Sequence, residues 1–187
     1  MGLDKALLPY RGGTLLEHAM GIVREATADV VILSGPRRRY LDFGAPVIED
    51  PICGAGPLAG LYAALTSAAA ADVDRILWLA VDLPLVPPHL LPRLVDALDC
   101  ADVAMARTEH GLEPMCAAFR TTPAIENVRQ ALLTARLKLI SALEGLRIET
   151  IDVDAHHFAN LNSPADYALT DAVGSLQSAK TRTGPWR

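Results

Sequence analysis

Short apolar runs alternate along this chain with longer amphipathic stretches. Thr14 and Glu17 form a T-x-x-E capping box, and Leu15, Leu16, Ala19, Ile22 and Val23 recur on one face, which predicts a helix over residues 14–26. Residues 29–34 read as a buried strand ended by Gly35-Pro36, and residues 46–49 as a short strand leading to Asp50. Gly56-Pro57 opens a strongly apolar helix over residues 58–71, with Pro57 at its first position. Residues 76–81 are almost unbroken apolar and too short for a helix. They predict a strand buried on both faces of a parallel sheet, delivering Asp82 at its carboxyl end. Pro84, Pro87 and Pro88 stop that strand.

Further on, the pattern predicts a helix over residues 89–98 and strands over 102–106 and 113–119, separated by a polar turn at 109–111. Helices over 122–134 and 137–146 follow, then a strand over 147–153. A turn at residues 160–164 leads into a last helix, over about residues 164–173, with Ser163 as N-cap. This alternation is that of an α/β domain with a mainly parallel sheet. The domain is expected to occupy residues 1–174, and residues 175–187 to form a loose polar tail.

Composition narrows the function classes. A formal net charge of −5 offers no global attraction to nucleic acid or an anionic membrane, and the basic cluster Arg37 to Arg39 reads as a solvated loop. Three unevenly spaced cysteines make neither a disulfide framework nor a CxxC site, which suits a reducing cytoplasm. The alanine-rich stretch over residues 58–71 falls short of the ~20 residues needed to span a membrane, and the first residues do not resemble a secretory signal.

Four features could carry chemistry. Lys5 lies in a loop where an ammonium could neutralise phosphate, although a solvated surface lysine has the same signature. Gly54-Ala55-Gly56-Pro57 at a helix start suits either an anion site or a tight turn. Asp50 and Asp82 each follow a strand, where two acids could converge on a metal–nucleotide site or simply serve as turn residues. His156 and His157 are adjacent, so their side chains should diverge, which favours a surface loop over a metal pair. No G-x-S-x-G, H-E-x-x-H or complete P-loop occurs.

In order and spacing, several motifs together resemble the molybdenum cofactor guanylyltransferases, the molybdopterin-guanine dinucleotide biosynthesis protein A family. They are Met1-Gly2-Leu3-Asp4-Lys5-Ala6-Leu7-Leu8; Ile48-Glu49-Asp50 with Gly56-Pro57-Leu58-Ala59-Gly60; Val81-Asp82-Leu83-Pro84; Glu113-Pro114; and Phe158-Ala159-Asn160-Leu161-Asn162-Ser163-Pro164. The resemblance implies a single-domain, Rossmann-like nucleotidyltransferase fold with helices on both faces of its sheet. It further implies transfer of GMP from GTP to molybdenum-bearing molybdopterin with release of pyrophosphate, a Mg2+ cofactor, and transient contact with molybdoenzyme maturation proteins. By the same resemblance Lys5 meets the GTP phosphates, Asp82 holds magnesium, Asp50 contacts the nucleotide, and Asn160 and Asn162 line the pterin side. Lys138 would stand near a substrate phosphate.

The sequence departs from the family pattern at two places. The family opens with a strand and a glycine-rich L-A-G-G-x-S-x-R-M-G loop, and this sequence enters at the final Met-Gly, so a central strand is expected to be missing. Leu33-Ser34-Gly35 stands where the family carries an asparagine near the guanine. Two alternatives follow: cytidylyl transfer to the same pterin, or a noncatalytic nucleotide-fold protein.

Overall fold

The structure, a computed structural model, describes residues 4–34, 39–49 and 56–159. Asp50, Asn160, Asn162, the expected helix over 164–173 and the tail over 175–187 lie outside the described residues.

The N-terminal segment is more ordered than a loop. A 3-10 turn over Lys5–Leu7 leads into β1 (Pro9–Tyr10), which pairs antiparallel with β2 (Gly13–Thr14). Arg11 and Gly12 both take positive φ, 48° and 81°, as a tight two-residue hairpin turn requires. Helix α1 (Leu15–Arg24) starts on the expected capping box: the Glu17 N–H donates to the Thr14 hydroxyl, and the Thr14 N–H donates to the Glu17 carboxylate. Next, β3 (Ile32–Ser34) and β4 (Val47–Glu49) pair in parallel.

Helix α2 (Pro57–Ala70) is apolar nearly all round and buries Leu58, Leu61 and Leu65 completely. Strand β5 (Arg75–Leu79), helix α3 (Leu90–Ala97), strands β6 (Val103–Thr108) and β7 (Gly111–Arg120), helix α4 (Thr121–Leu133) and strand β8 (Ile148–Asp152) complete the described elements. Four of these strands form one sheet in the order β5-β7-β6-β8. Its faces follow the period-two rule of a strand. Ala104, Ala106, Cys116 and Ala118 pack towards Leu90, Leu91 and Leu94 of α3. Val103, Met105, Ala117 and Phe119 pack towards α2 and towards Ala124, Val128 and Ala131 of α4. Helices therefore cover both faces, as expected.

Four expectations need correction. The sheet is mixed, not mainly parallel: β6 and β8 run parallel, but β7 is antiparallel to both β5 and β6. The polar turn at 109–111 is the reason, because a connection that short can join only antiparallel neighbours. The register of the β6–β7 pair jumps from Met105↔Ala117 to Ala106↔Glu113, which leaves Pro114 in a bulge where its missing N–H is harmless.

Next, β5 is covered on both faces but only partly buried at every position: Leu77 and Leu79 pack into the core on the α3 side, and Ile76 and Trp78 into the core on the α2 side. Among the described residues only β7 pairs with it, and only β4 with β3. Helix α2 packs against β3, β4 and β5 alike and so spans the space between the two sheets.

The helix expected over 137–146 shrinks to a 3-10 turn, Ile140–Leu143, because Leu139, Ala142 and Leu143, with Leu146 in part, find a core while Leu137 and Ile140 stay exposed. His156 and His157 do not diverge. They lie in a 3-10 turn (Ala155–Phe158) with ring centroids 3.7 Å apart.

Candidate active site

Lys5 is presented by a turn fixed from both ends. The Asp4 carboxylate accepts the Ala6 N–H at 3.2 Å, the Leu7 N–H donates to the Asp4 carbonyl, and the Leu8 N–H donates to the Lys5 carbonyl. The other Asp4 oxygen accepts the Tyr40 hydroxyl at 2.7 Å and faces the Arg39 guanidinium at 3.4 Å. Tyr40 is itself anchored in a cluster with Ala6, Leu16, Met20, Ile32 and Val47. Burial, reinforced by the neighbouring Asp4 carboxylate, pushes the Tyr40 phenol above its ordinary value. It remains a donor at neutral pH.

Asp82 sits three residues beyond the end of β5, in a turn that starts at Val81. Val81 packs against both the Tyr10–Leu15 and the Ile32–Tyr40 clusters, while Leu83 and Val86 are buried under α3. Apolar anchors on either side thus leave the carboxylate facing outward. The Lys5 ammonium lies 4.0 Å from it, and the two side chains are 39% and 38% exposed. Beside them an open cleft of about 390 Å³ is lined by Asp4, Lys5, Ile32, Ser34, Tyr40 and Val81. A ligand entering there would meet the Lys5 ammonium, the Arg39 guanidinium and the Asp4 carboxylate among apolar walls, the usual mixture for a small-molecule site.

The structure thus brings together Lys5 and Asp82, two of the residues singled out in the sequence. Lys138 is exposed in the connection after α4 and does not line the cleft. Asp4, Arg39 and Tyr40 escaped the sequence reading. Asp4 could have been found as the cap of a short turn carrying Lys5, but nothing in the sequence reveals that Tyr40 reaches it. Burial pushes the Cys116 thiol up to about 12, so it offers no thiolate nucleophile.

Asp82 offers a single, partly exposed carboxylate, which could give one oxygen ligand to a divalent metal ion that takes the others from substrate phosphates. Such an ion needs one or two carboxylates and substrate oxygens, not a protein cage. Among the described residues no group of three or more candidate metal-ligating side chains occurs. Nor is any described helix long and apolar enough to cross a membrane.

Residues 1–146 match the MobA-like NTP transferase domain. The chain belongs to this family. Among its relatives, a molybdenum cofactor guanylyltransferase of Acidiphilium cryptum is 34% identical over 91% of this chain and 87% of that protein. A probable molybdenum cofactor guanylyltransferase of Pelotomaculum thermopropionicum is 30% identical over 98% and 90% of the respective chains. The fold agrees with solved structures. Molybdopterin-guanine dinucleotide biosynthesis protein A from Archaeoglobus fulgidus superimposes with a TM-score of 0.71 at 23% identity, covering 93% of this chain and 92% of that one. A 2-C-methyl-D-erythritol 4-phosphate cytidylyltransferase from Thermus thermophilus gives 0.66 at 22%, covering 91% and 94%. The α/β nucleotidyltransferase fold expected from the sequence is therefore the fold of the family.

Proposed function

We propose that the chain transfers GMP from GTP to molybdenum-bearing molybdopterin. The observation that carries this reading is the Lys5–Asp82 pair beside a cleft in a MobA-like NTP transferase domain. The names of the relatives supply the substrate class. In the reaction, a phosphate oxygen of the pterin forms a bond to the α-phosphorus of GTP. The bond from that phosphorus to the β-bridging oxygen breaks, and pyrophosphate leaves with the electron pair.

Both partners are anions, so positioning and charge neutralisation dominate the chemistry. Lys5 neutralises phosphate oxygens as a point charge held on a rigid turn. Asp82 is the residue that would hold Mg2+, which when bound supplies further neutralisation of the triphosphate. Asp4 and Tyr40 keep the Lys5 turn in place. Asp50 is assigned to the nucleotide, and Asn160 and Asn162 to the pterin. No covalent nucleophile is required, because the attacking phosphate is already ionised.

The test is turnover of the purified protein with molybdopterin and Mg2+, following pyrophosphate and the dinucleotide product with GTP and, separately, with CTP. GTP-dependent product supports the reading. Product from CTP alone, or none from either, overturns it.

A further inference from the structure

The loop after Asp82 is short of backbone donors. Pro84, Pro87 and Pro88 have no N–H, and the carbonyls of Pro84 and Leu85 instead accept side-chain donors. His18, on α1, reaches the Pro84 oxygen through Nε2 at 2.9 Å. His157, in the 3-10 turn after β8, reaches the Leu85 oxygen through Nδ1, also at 2.9 Å. Two imidazoles from opposite ends of the chain thus grip consecutive carbonyls of one turn. Each ring is held in turn, His18 by the edge of Tyr10 at 4.7 Å and His157 by His156 at 3.7 Å. A carbonyl only accepts, so the nitrogen facing it carries the proton in both rings.

We propose that His18 and His157 are positioning residues that set Asp82 relative to Lys5. Both rings bond backbone carbonyls of the turn that carries the carboxylate. They act by clamping the two residues that follow Leu83, whose buried side chain already fixes the inner side of the turn. His18 has a second consequence, because α1 also carries the Lys5 half of the site. Leu16 and Met20 of the same helix pack with Ala6 and Tyr40 beneath the Lys5 turn. One helix therefore supports Lys5 through its apolar face and the Asp82 loop through His18. This inference rests on the reading of Asp82 as the magnesium-holding carboxylate.

The test uses the full chain and two readouts besides turnover: GTP binding by calorimetry with and without Mg2+, and deuterium uptake of residues 80–88. His18→Leu and His157→Leu remove the donors. His18→Gln and His157→Asn restore a donor near the original nitrogen. The leucine variants should weaken Mg2+-dependent GTP binding about tenfold, the scale typical of groups that orient metal ligands. They should also raise uptake over residues 80–88, with metal-free GTP binding within about twofold of the parent. The glutamine and asparagine variants should recover most of both. If a leucine variant does not fold, His18→Asn, whose amide is too short to reach, serves against His18→Gln. Unchanged Mg2+-dependent binding in the donorless variants overturns the inference, as does an equal loss in His18→Gln and His18→Asn. Asp82→Asn separates the two claims. If it keeps the full Mg2+ enhancement, the metal reading itself fails. If it loses the enhancement while the histidine variants keep it, only the positioning role fails.

Discussion

The Lys5 ammonium and the Asp82 carboxylate stand 4.0 Å apart, both more than a third exposed. At that separation and exposure the pair contributes only about 0–1 kcal/mol to folding. A ligand that broke this ion pair would therefore forfeit little folding energy. Lys5→Ala and Asp82→Asn should both leave the unfolding free energy within about 0.5 kcal/mol of the parent. They should lower guanylyl transfer by about two orders of magnitude or more. Denaturant titration and product assays on the same preparations check this, and a large stability loss would mark the pair as structural.

Tyr40→Phe removes the 2.7 Å bond to Asp4 without emptying the core site of the ring. A hydrogen bond to a charged, partly buried acceptor contributes about 1–2 kcal/mol. The variant should therefore lose about that much stability and bind GTP several-fold more weakly, up to about tenfold. Because Asp4 also caps the Lys5 turn, the binding defect should largely disappear in a Lys5→Ala background. Calorimetry on the single and double variants tests the coupling.

What the sequence revealed was local, and what it concealed was tertiary. The Thr14–Glu17 capping box and Pro57 at the start of α2 were legible because each is a short-range signal. Asp82 was placed correctly just beyond a strand because the apolar run before it is too short for a helix and prolines close it. The partners of β5 were not legible, since an apolar run says nothing about which edges are paired. Residues 137–146 carried a helical pattern, but too little of it found a core, and Glu144 and Gly145 ended it after one 3-10 turn. Tyr40 carries no signal of its own beside the basic cluster Arg37 to Arg39, and His157 reads as part of a surface pair. Their roles depend on contacts 36 and 72 residues away along the chain, to Asp4 and Leu85, which no periodicity encodes.

Acid should destabilise the β6–β8 edge through Asp102. Its carboxylate accepts the Arg147 backbone N–H at 3.0 Å and two guanidinium bonds at 3.2 and 3.0 Å, joining the starts of the two strands. These bonds from Arg147 hold the carboxyl below its ordinary value. A carboxyl depressed in the folded state contributes stability that is fully present above its unfolded value, about 3.9, and lost as pH falls through the folded one. Asp102→Asn should therefore be less stable than the parent by a similar margin at pH 7 and pH 5. The two should converge as the pH falls from about 4 towards 2. Denaturant unfolding across that range tests the sign.

The two glycines that bracket the start of α2 should respond in opposite ways to the same substitution. Gly56, the N-cap residue, has φ 62° and ψ −150°, a region that is essentially glycine-only. An added Cβ there would meet nothing within 4 Å, so the penalty lies in the backbone alone, about 1–3 kcal/mol for Gly56→Ala. Gly60 lies within the helix, and its added Cβ would come 3.4 Å from the far end of the Trp78 ring, a contact that a small ring shift relieves. Replacing a helical glycine by alanine gains up to about 1 kcal/mol, so Gly60→Ala should be neutral to mildly stabilising. Thermal and denaturant unfolding of the two variants decides the matter. Equal losses at both positions would mean that tight packing, and not the conformation of Gly56, fixes how the chain enters α2.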